Sequence, residues 1–219
     1  MRPARRRRVR EDKLGDCGLF IVASWVLIQF HPSPLALGSG NLRDTLRITP
    51  LFAHTSQAYW LAETAVVALA VIALGLLVSL LMQSRRYALR AMVLTLLLTL
   101  AAKSVAAMML GRGAGWLQWL TPGVAAGLAA GGALVAVLVM LAPAARAAAA
   151  VVCVAGGMIV VNITPDNPYQ TLPAFMLSAQ PTHLANFSNI VRTLSQCWPL
   201  ATLLLLFALM RAGPARTAR

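Results

Sequence analysis

Long apolar stretches, separated by short polar or proline-containing turns, dominate the pattern of this chain. These stretches lack the strict alternation of apolar and polar positions that marks a half-buried strand, and most reach the roughly 17–25 residues of a membrane-crossing helix. Within hydrocarbon, a helix satisfies its own backbone hydrogen bonds. The pattern therefore predicts an all-α, polytopic membrane helix bundle with about six transmembrane helices. Their expected positions are residues 14–30, 58–82, 88–110, 121–142, 146–163 and 189–211.

Prolines lie close to the predicted helix limits. Pro32 follows the first helix and Pro143 follows the fourth, while Pro122 falls in the first turn of the fourth, where a missing N–H is tolerated. The chain then divides into a basic cytoplasmic N-terminal segment at 1–13, a six-helix transmembrane domain at 14–211 and a cytoplasmic tail at 212–219.

Composition argues against the common alternatives to a membrane protein. Apolar residues make up 59% of the chain and charged residues only 11%, whereas soluble domains carry about 25% charged residues. A disordered chain would combine low hydrophobicity with high charge. The mean hydropathy of +0.73 agrees with the membrane class.

The distribution of positive charge predicts the orientation. The chain has 19 Lys and Arg against 6 Asp and Glu, for a formal net charge of +13. Six spans place both termini on one side, where fourteen of the basic residues fall, and four fall on the opposite side. Basic segments are retained on the cytoplasmic side during insertion. We therefore expect both termini to be cytoplasmic.

The same distribution bears on partners. A basic surplus in a soluble chain would indicate nucleic-acid binding. Here the basic residues flank membrane spans, so we expect no nucleic-acid partner and instead a contact between the basic N-terminus and anionic lipid.

A cleaved signal peptide is the competing interpretation of the first span. A basic segment, an apolar stretch at 18–30 and small residues at 36–38 have the required order. Gln29 and the two prolines that follow make a poor cleavage context. Six spans are therefore favoured over the five that cleavage would leave.

Two long loops, at 31–57 and 164–188, fall on the side opposite the termini. Long loops in compact proteins often carry function. The second loop is rich in amides and prolines, which are typical both of capped turns and of a polar ligand site, and a re-entrant conformation stays open for it. The candidate ligand-binding residues are Asp166, Asn167, His183, Asn186, Asn189 and Arg192.

Glu63 and Lys103 are the charged residues well inside the predicted helices. At about 1.5 Å per residue, each lies roughly 8–11 Å below the outer boundary, on consecutive antiparallel helices. Equal depth predicts an intramembrane ion pair. The pair has either a structural role in helix register or a functional one.

Gly123, Gly127 and Gly131 recur every four residues in the fourth predicted helix. Small residues at this spacing share one face and allow a second backbone to approach closely. We expect this stripe to pack within the bundle, with dimer formation as the alternative.

Catalytic and metal-binding patterns do not stand out. Cys17, Cys153 and Cys197 are far apart, and the three histidines lack the spacing of a metal-binding motif. The chain carries neither a nucleophile-elbow motif nor a phosphate loop. We therefore predict no metal and no cofactor, assign no catalytic residue, and favour a non-enzymatic role.

Short motifs along the chain resemble bacterial VanZ-like integral membrane proteins. The similar segments are 16–20 (DCGLF) with Trp25 and Gln29, 119–123 (WLTPG), 161–169 (VNITPDNPY), 186–189 (NFSN), 194–195 (LS) and 198–199 (WP). Most of them lie after residue 115, in the region that corresponds to the C-terminal part of longer family members. The polar N-terminal motif of those relatives is echoed only by His54 and Tyr59.

The resemblance implies a bacterial inner-membrane protein connected with the cell envelope and with glycopeptide tolerance, in a family without an established biochemical activity. It leads to the first expected function, which is binding or acting on an envelope glycan or lipid-linked ligand at the periplasmic face. A small transporter or permease subunit that uses Glu63 and Lys103 is the second. A structural partner of another membrane protein, docked through the glycine stripe, is the third.

Overall fold

The computed structural model describes residues 9–10, 12–30, 35–110, 117, 119–165 and 182–212. Within these ranges the regular structure is helical, and one isolated antiparallel bridge joins Val9 to Met82. The helices in chain order are α1 (Lys13–Ile28), α2 (Arg43–Leu46), α3 (Ser56–Leu81), α4 (Arg85–Leu110), α5 (Pro122–Leu138), α6 (Pro143–Ile163) and α7 (Thr182–Ala212).

Six of these helices are long and coincide with the six predicted segments, which confirms the all-α membrane-bundle prediction. Four of them, α3, α4, α6 and α7, are long and apolar enough to cross a membrane. The other two are shorter, with 16 residues in α1 and 17 in α5. These lengths correspond to about 24 and 25 Å, against about 30 Å for the hydrocarbon core of a bilayer.

Some helix limits differ from the predicted ones. Helix α5 ends at Leu138 and α6 begins at Pro143, so the intervening turn comes earlier than predicted. A proline at the first position of α6 fits because the N–H that it lacks has no partner within a helix there. Helix α7 begins at Thr182 rather than at residue 189. The sequence of its first turns is polar, so the apolar pattern marks only the later part of this helix.

Helix α3 forms the centre of the bundle. It packs along both α5 and α6, and 72% of its most apolar stretch is buried, against 22% for α4. Val67, Leu76 and Leu77 of α3 are fully buried in the main core cluster. Helix α7 closes the other side by packing on α1 and α6. Side chains of α4 therefore provide much of the outward-facing apolar surface, as expected of a helix beside lipid.

Contacts between helix termini define two ends of the bundle. At the first, which we name the basic end, the backbone N of Arg10 donates to the Leu81 carbonyl (2.9 Å), and the Arg146 side chain reaches Ser79. At the second, which we name the loop end, the segment between α1 and α3 contacts the end of α6. The candidate ligand-binding residues that the structure describes belong to the first turns of α7, at the loop end.

Candidate functional site

The segment that joins α1 to α3 folds back onto the loop end. Leu35 and Leu37 are buried. Two backbone hydrogen bonds fix the segment, from Gly40 N to the Ser195 carbonyl (2.9 Å) and from Leu51 N to the Ile163 carbonyl (3.0 Å). We name residues 35–51 the loop-end segment. It is part of the packed structure of the bundle.

Asn162, near the end of α6, is the main polar anchor of this segment. Its Nδ2 donates to the carbonyls of Gly40 (2.8 Å) and Met158 (2.7 Å), and its Oδ1 accepts from the backbone N of Leu42 (2.8 Å). The residue is only 7% exposed. Because a buried amide with lost partners carries a large desolvation penalty, this side chain sets the position of the loop-end segment relative to α6.

Arg43 is the second anchor. Its Nη2 donates to the carbonyls of Val161 (3.3 Å) and Thr164, and the residue is 8% exposed. The last carbonyls of a helix have no intrahelical donor and carry partial negative charge, so a guanidinium is favourable there. Arg43 therefore caps the C-terminus of α6 from a distant part of the chain.

Gly40 fits a close approach to α7. Its φ of 75° lies in the left-handed region, and an added Cβ would lie 2.8 Å from Cγ of Pro199, the proline within α7. Gln196, one turn earlier, donates from Nε2 to the Asn41 carbonyl (3.2 Å). The loop-end segment is thus held by α7 as well as by α6.

A small cavity lies beneath this segment, among α1, α3, α6 and α7. Its volume is about 20 Å³, and its lining includes Trp25, Val66, Met158 and Trp198. The two tryptophan rings lie 4.5 Å apart between centroids, and Nε1 of Trp198 donates to the Ile21 carbonyl (2.9 Å). A cavity of this size has room for about one water molecule. It is therefore a gap in the packing rather than a pocket for a larger ligand.

The structure places four of the six candidate ligand-binding residues on the first turns of α7. Asn189 and Arg192 are exposed and lie three positions apart, so they are neighbours on the helix surface. His183 and Asn186 belong to the preceding turns of the same helix. Asp166 and Asn167 lie outside the described residues. The loop end thus has an exposed guanidinium and an exposed amide.

Glu63 and Lys103 are both buried, but they do not form the predicted ion pair. Among the described residues, the one salt bridge joins Arg10 to Asp12. The Glu63 carboxylate instead accepts a hydrogen bond from the Thr121 hydroxyl, and that hydroxyl accepts from Val124 N as the N-cap of α5. The partial positive charge of a helix N-terminus is favourable for a carboxylate. Helical depth alone does not reveal this partner on a third helix.

The glycine stripe faces α3 within the same chain. A Cβ added at Gly127 would lie 2.7 Å from the Thr64 carbonyl, and one at Gly131 would lie 2.9 Å from the Ala68 carbonyl. At Gly123 the nearest atom would be Oε2 of Glu63, at 2.5 Å. The glycines therefore allow the close contact between α3 and α5, and Gly123 makes room for the carboxylate.

Other candidate chemistry gives no assembled site among the described residues. No group of three or more His, Cys, Asp or Glu side chains is placed to hold a metal ion in that part of the chain. Cys17 and Cys197 are exposed and Cys153 is buried, and all three are free thiols. His54 packs against the ring of Tyr59, with 5.4 Å between the ring centroids.

At the basic end, Asp12 begins α1. Its Oδ1 accepts from Gly15 N (2.9 Å) as the N-cap, and its Oδ2 accepts from Nε of Arg10 (2.6 Å). Partial burial raises the pKa of the Asp12 carboxyl, but the hydrogen bonds from Arg10 and Gly15 and the charge of Arg10 together lower this pKa below its usual value. Asp12 is thus an ionised cap whose charge is balanced by Arg10.

Comparisons of the chain with protein-family models, with curated proteins and with solved structures gave no match. Its apolar helices and their packing define a polytopic helical membrane protein. Sequence reasoning did not single out Asn162, Gly40 or Gln196 as contacts of the loop-end segment. Arg43 entered only through the count of charges that predicts orientation.

Proposed function

We propose that this chain is a VanZ-like integral protein of the bacterial inner membrane that binds a lipid-linked envelope glycan at its loop end, which faces the periplasm. The observation that carries the proposal is the fixed loop-end segment beside the exposed Asn189 and Arg192. It gives the bundle a preformed polar surface at one membrane boundary.

The rigidity of this surface supports binding. Arg43 and Asn162 hold the loop-end segment on α6, and Gln196 holds it on α7. A surface that is already ordered loses less conformational entropy when a ligand binds. The segment therefore supports the neighbouring turns of α7 as a scaffold.

The chemistry of the exposed side chains supports an anionic, hydroxyl-rich ligand. A guanidinium at Arg192 is suited to phosphate or pyrophosphate oxygens. An amide at Asn189 has both a donor and an acceptor for sugar hydroxyls. A polyprenyl-pyrophosphate-linked muropeptide carries both kinds of group at the height of the membrane surface.

The charge distribution supports the orientation. Most basic residues lie on the side of the termini by their position in the sequence, so retention of the basic end in the cytoplasm leaves the loop end outside. The transporter alternative depends on Glu63 and Lys103, and the contact of the Glu63 carboxylate with the Thr121 hydroxyl of a third helix gives it no support. The docking alternative has lost its surface, because the glycine stripe is covered by α3.

A binding measurement tests the proposal. The purified full chain in nanodiscs should bind a polyprenyl-pyrophosphate-linked muropeptide, and Arg192→Gln should weaken this binding by about tenfold, as expected for loss of a charge-assisted hydrogen bond. Arg211→Gln, which removes the same charge at the basic end, is the matched control and should bind like the parent. Equal affinity of the two variants, or absence of binding by the parent, would overturn the proposal.

A phenotype provides the second arm. In cells whose glycopeptide tolerance depends on this protein, Asp166→Ala, Asn167→Ala and Asn186→Ala should each reduce tolerance while membrane abundance stays unchanged. Tolerance that survives all three changes would count against a ligand site at the loop end.

A further inference from the structure

Two separate parts of the chain meet at the turn between α3 and α4. The bridge between Val9 and Met82 holds the N-terminal segment there, together with a hydrogen bond from Arg10 N to the Leu81 carbonyl (2.9 Å). Nε2 of Gln83 also donates to the Val9 carbonyl (3.1 Å). Val9 and Arg10 are therefore fixed to the turn that leads into α4, whose first residues are Arg85 and Arg86.

A third part of the chain adds Arg146, from the first turn of α6. Its Nη1 donates to the Ser79 hydroxyl (3.2 Å) and to the Ser79 carbonyl (3.4 Å), near the end of α3. Its Nε is buried without a hydrogen-bond partner among the described residues. Arg85 begins α4 only six positions after Ser79, so both arginines belong to the end of the bundle where α3, α4 and α6 meet. Two arginines from different helices thus lie at the same junction of the basic end.

Carboxylates do not balance this pair within the described part of the chain. Asp12 is engaged by Arg10 at 2.6 Å, and that is the one salt bridge between described residues. Neither Arg85 nor Arg146 forms a salt bridge with a described carboxylate. Two guanidinium groups at one junction, neither of them paired with a described carboxylate, attract an anion, and phosphate oxygens match their donor geometry.

Exposed apolar side chains lie close in sequence to both arginines. Leu89, one turn into α4, is 61% exposed, and Met140, in the turn before α6, is 66% exposed. Leu141 is also exposed. These side chains are suited to contact acyl chains, whereas a site for a soluble phosphate has no need of them.

We propose that Arg85 and Arg146 bind the phosphate of an anionic phospholipid from the leaflet that covers the basic end. Basic pockets between helix ends on this side of a membrane protein are suited to such headgroups. The lipid phosphate would accept from the two guanidinium groups, and its acyl chains would lie along α4 and the turn between α5 and α6. The bound lipid would stabilise the junction of α3, α4 and α6.

Native mass spectrometry of the purified, delipidated full chain tests this proposal with three probes: phosphatidylglycerol, phosphatidylcholine and soluble glycerol 3-phosphate. The parent should retain phosphatidylglycerol in preference to phosphatidylcholine. Arg85→Gln and Arg146→Gln should each weaken retention by about fivefold, the factor that corresponds to about 1 kcal/mol per basic residue near a lipid surface. Arg211→Gln removes one charge at the same end and should change little.

Each other outcome overturns the proposal. Equal retention of the two lipids would show that the headgroup charge is not recognised. Displacement of the lipid by millimolar glycerol 3-phosphate would show a site for soluble phosphate. A loss in Arg211→Gln as large as in Arg146→Gln would show diffuse attraction. If Arg146→Gln does not fold, the double variant Arg146→Lys with Arg85→Gln replaces it, because the lysine keeps a positive charge near Ser79. This double variant should still retain phosphatidylglycerol at least fivefold more weakly than the parent, since Arg85 is lost.

Discussion

The loop end and the basic end use arginine in opposite ways. At the loop end, Arg43 is buried, and its donors are directed at the last carbonyls of α6. At the basic end, Arg146 is half-buried at the same junction as Arg85, and its bonds to Ser79 leave its charge without a described carboxylate. The first arrangement directs a buried guanidinium at two carbonyls of the protein and locks a loop. The second leaves positive charge available to the membrane.

This difference shows why a count of basic residues is informative about the basic end but misses the structural role of an arginine at the loop end. Charge near helix ends gives orientation, because insertion depends on how much charge there is and on which side. The same count treats Arg43 as an ordinary outer-loop residue, although it is a structural group of the loop end. The two ends should therefore respond differently to substitution.

The largest effect is expected at Asn162. Asn162→Leu removes three hydrogen bonds and leaves the Gly40 carbonyl and the Leu42 N–H to find other partners, so we expect a loss of about 3 kcal/mol in the free energy of unfolding. Thermal unfolding in detergent, together with protease cleavage within residues 35–51, measures this loss. Asn189→Leu, on the exposed surface of α7, is the control and should cost below about 0.5 kcal/mol. Similar melting temperatures for the two variants would contradict the anchoring role of Asn162.

The next effect compares the two arginines directly. Arg43→Met should destabilise the protein by about 2 kcal/mol, because charged donors to buried carbonyls are lost. Arg146→Met should cost less, about 1 kcal/mol, since its two bonds to Ser79 are long and lie nearer the surface. Urea or thermal unfolding of both variants in the same detergent gives the ranking. A larger loss of stability in Arg146→Met than in Arg43→Met would contradict the proposed difference between the two arginines.

A double-mutant cycle then tests the partner of Glu63. Glu63→Gln should cost about 1 kcal/mol, the effect of losing a negative charge at the N-terminus of α5. Combined with Lys103→Gln, the two effects should add to within about 0.5 kcal/mol, because the residues do not share an ion pair. A coupling energy above about 1 kcal/mol would restore the direct pair that helical depth alone predicts.

The smallest effect concerns Asp12 and depends on pH. Because the folded-state pKa of this carboxyl lies below its unfolded value, its contribution to stability is full above about pH 4 and is lost as the pH falls through the lowered pKa. The side chain is 43% exposed, so solvent screening keeps the contribution below about 1 kcal/mol. The difference in melting temperature between the parent and Asp12→Asn should be measurable at pH 6 and should shrink toward pH 3. A difference that does not change with pH would show that the charge of Asp12 has no role.

The sequence was sufficient for the helices because each depends on a local run of apolar residues. The four-residue spacing of Gly123, Gly127 and Gly131 is also visible in the sequence, and in the folded chain these glycines lie close to α3. Both features repeat within a single element. The length of an apolar run and the spacing of small residues can both be read from a single sequence.

The loop-end segment could not be predicted in the same way. Its position depends on contacts between residues more than 100 positions apart, such as Leu42 with Asn162 and Arg43 with Val161. A polar stretch with prolines gives no signal for such pairing. The contact between Thr121 and Glu63 could not be predicted for the same reason. The N-capping role of Thr121 is local, but its contact with Glu63 joins residues that are far apart in the chain.

Cysteine labelling across the membrane tests the central claim, that the loop end faces the outside and the basic end faces the cytoplasm, most directly. In a background where Cys17, Cys153 and Cys197 are replaced by alanine, Arg47→Cys reports on the loop end and Arg211→Cys on the basic end. A membrane-impermeant maleimide that can reach the periplasm should label Arg47→Cys in cells with an intact inner membrane and Arg211→Cys only after that membrane is permeabilised. Labelling of Arg211→Cys in intact cells, with Arg47→Cys protected, would contradict the account.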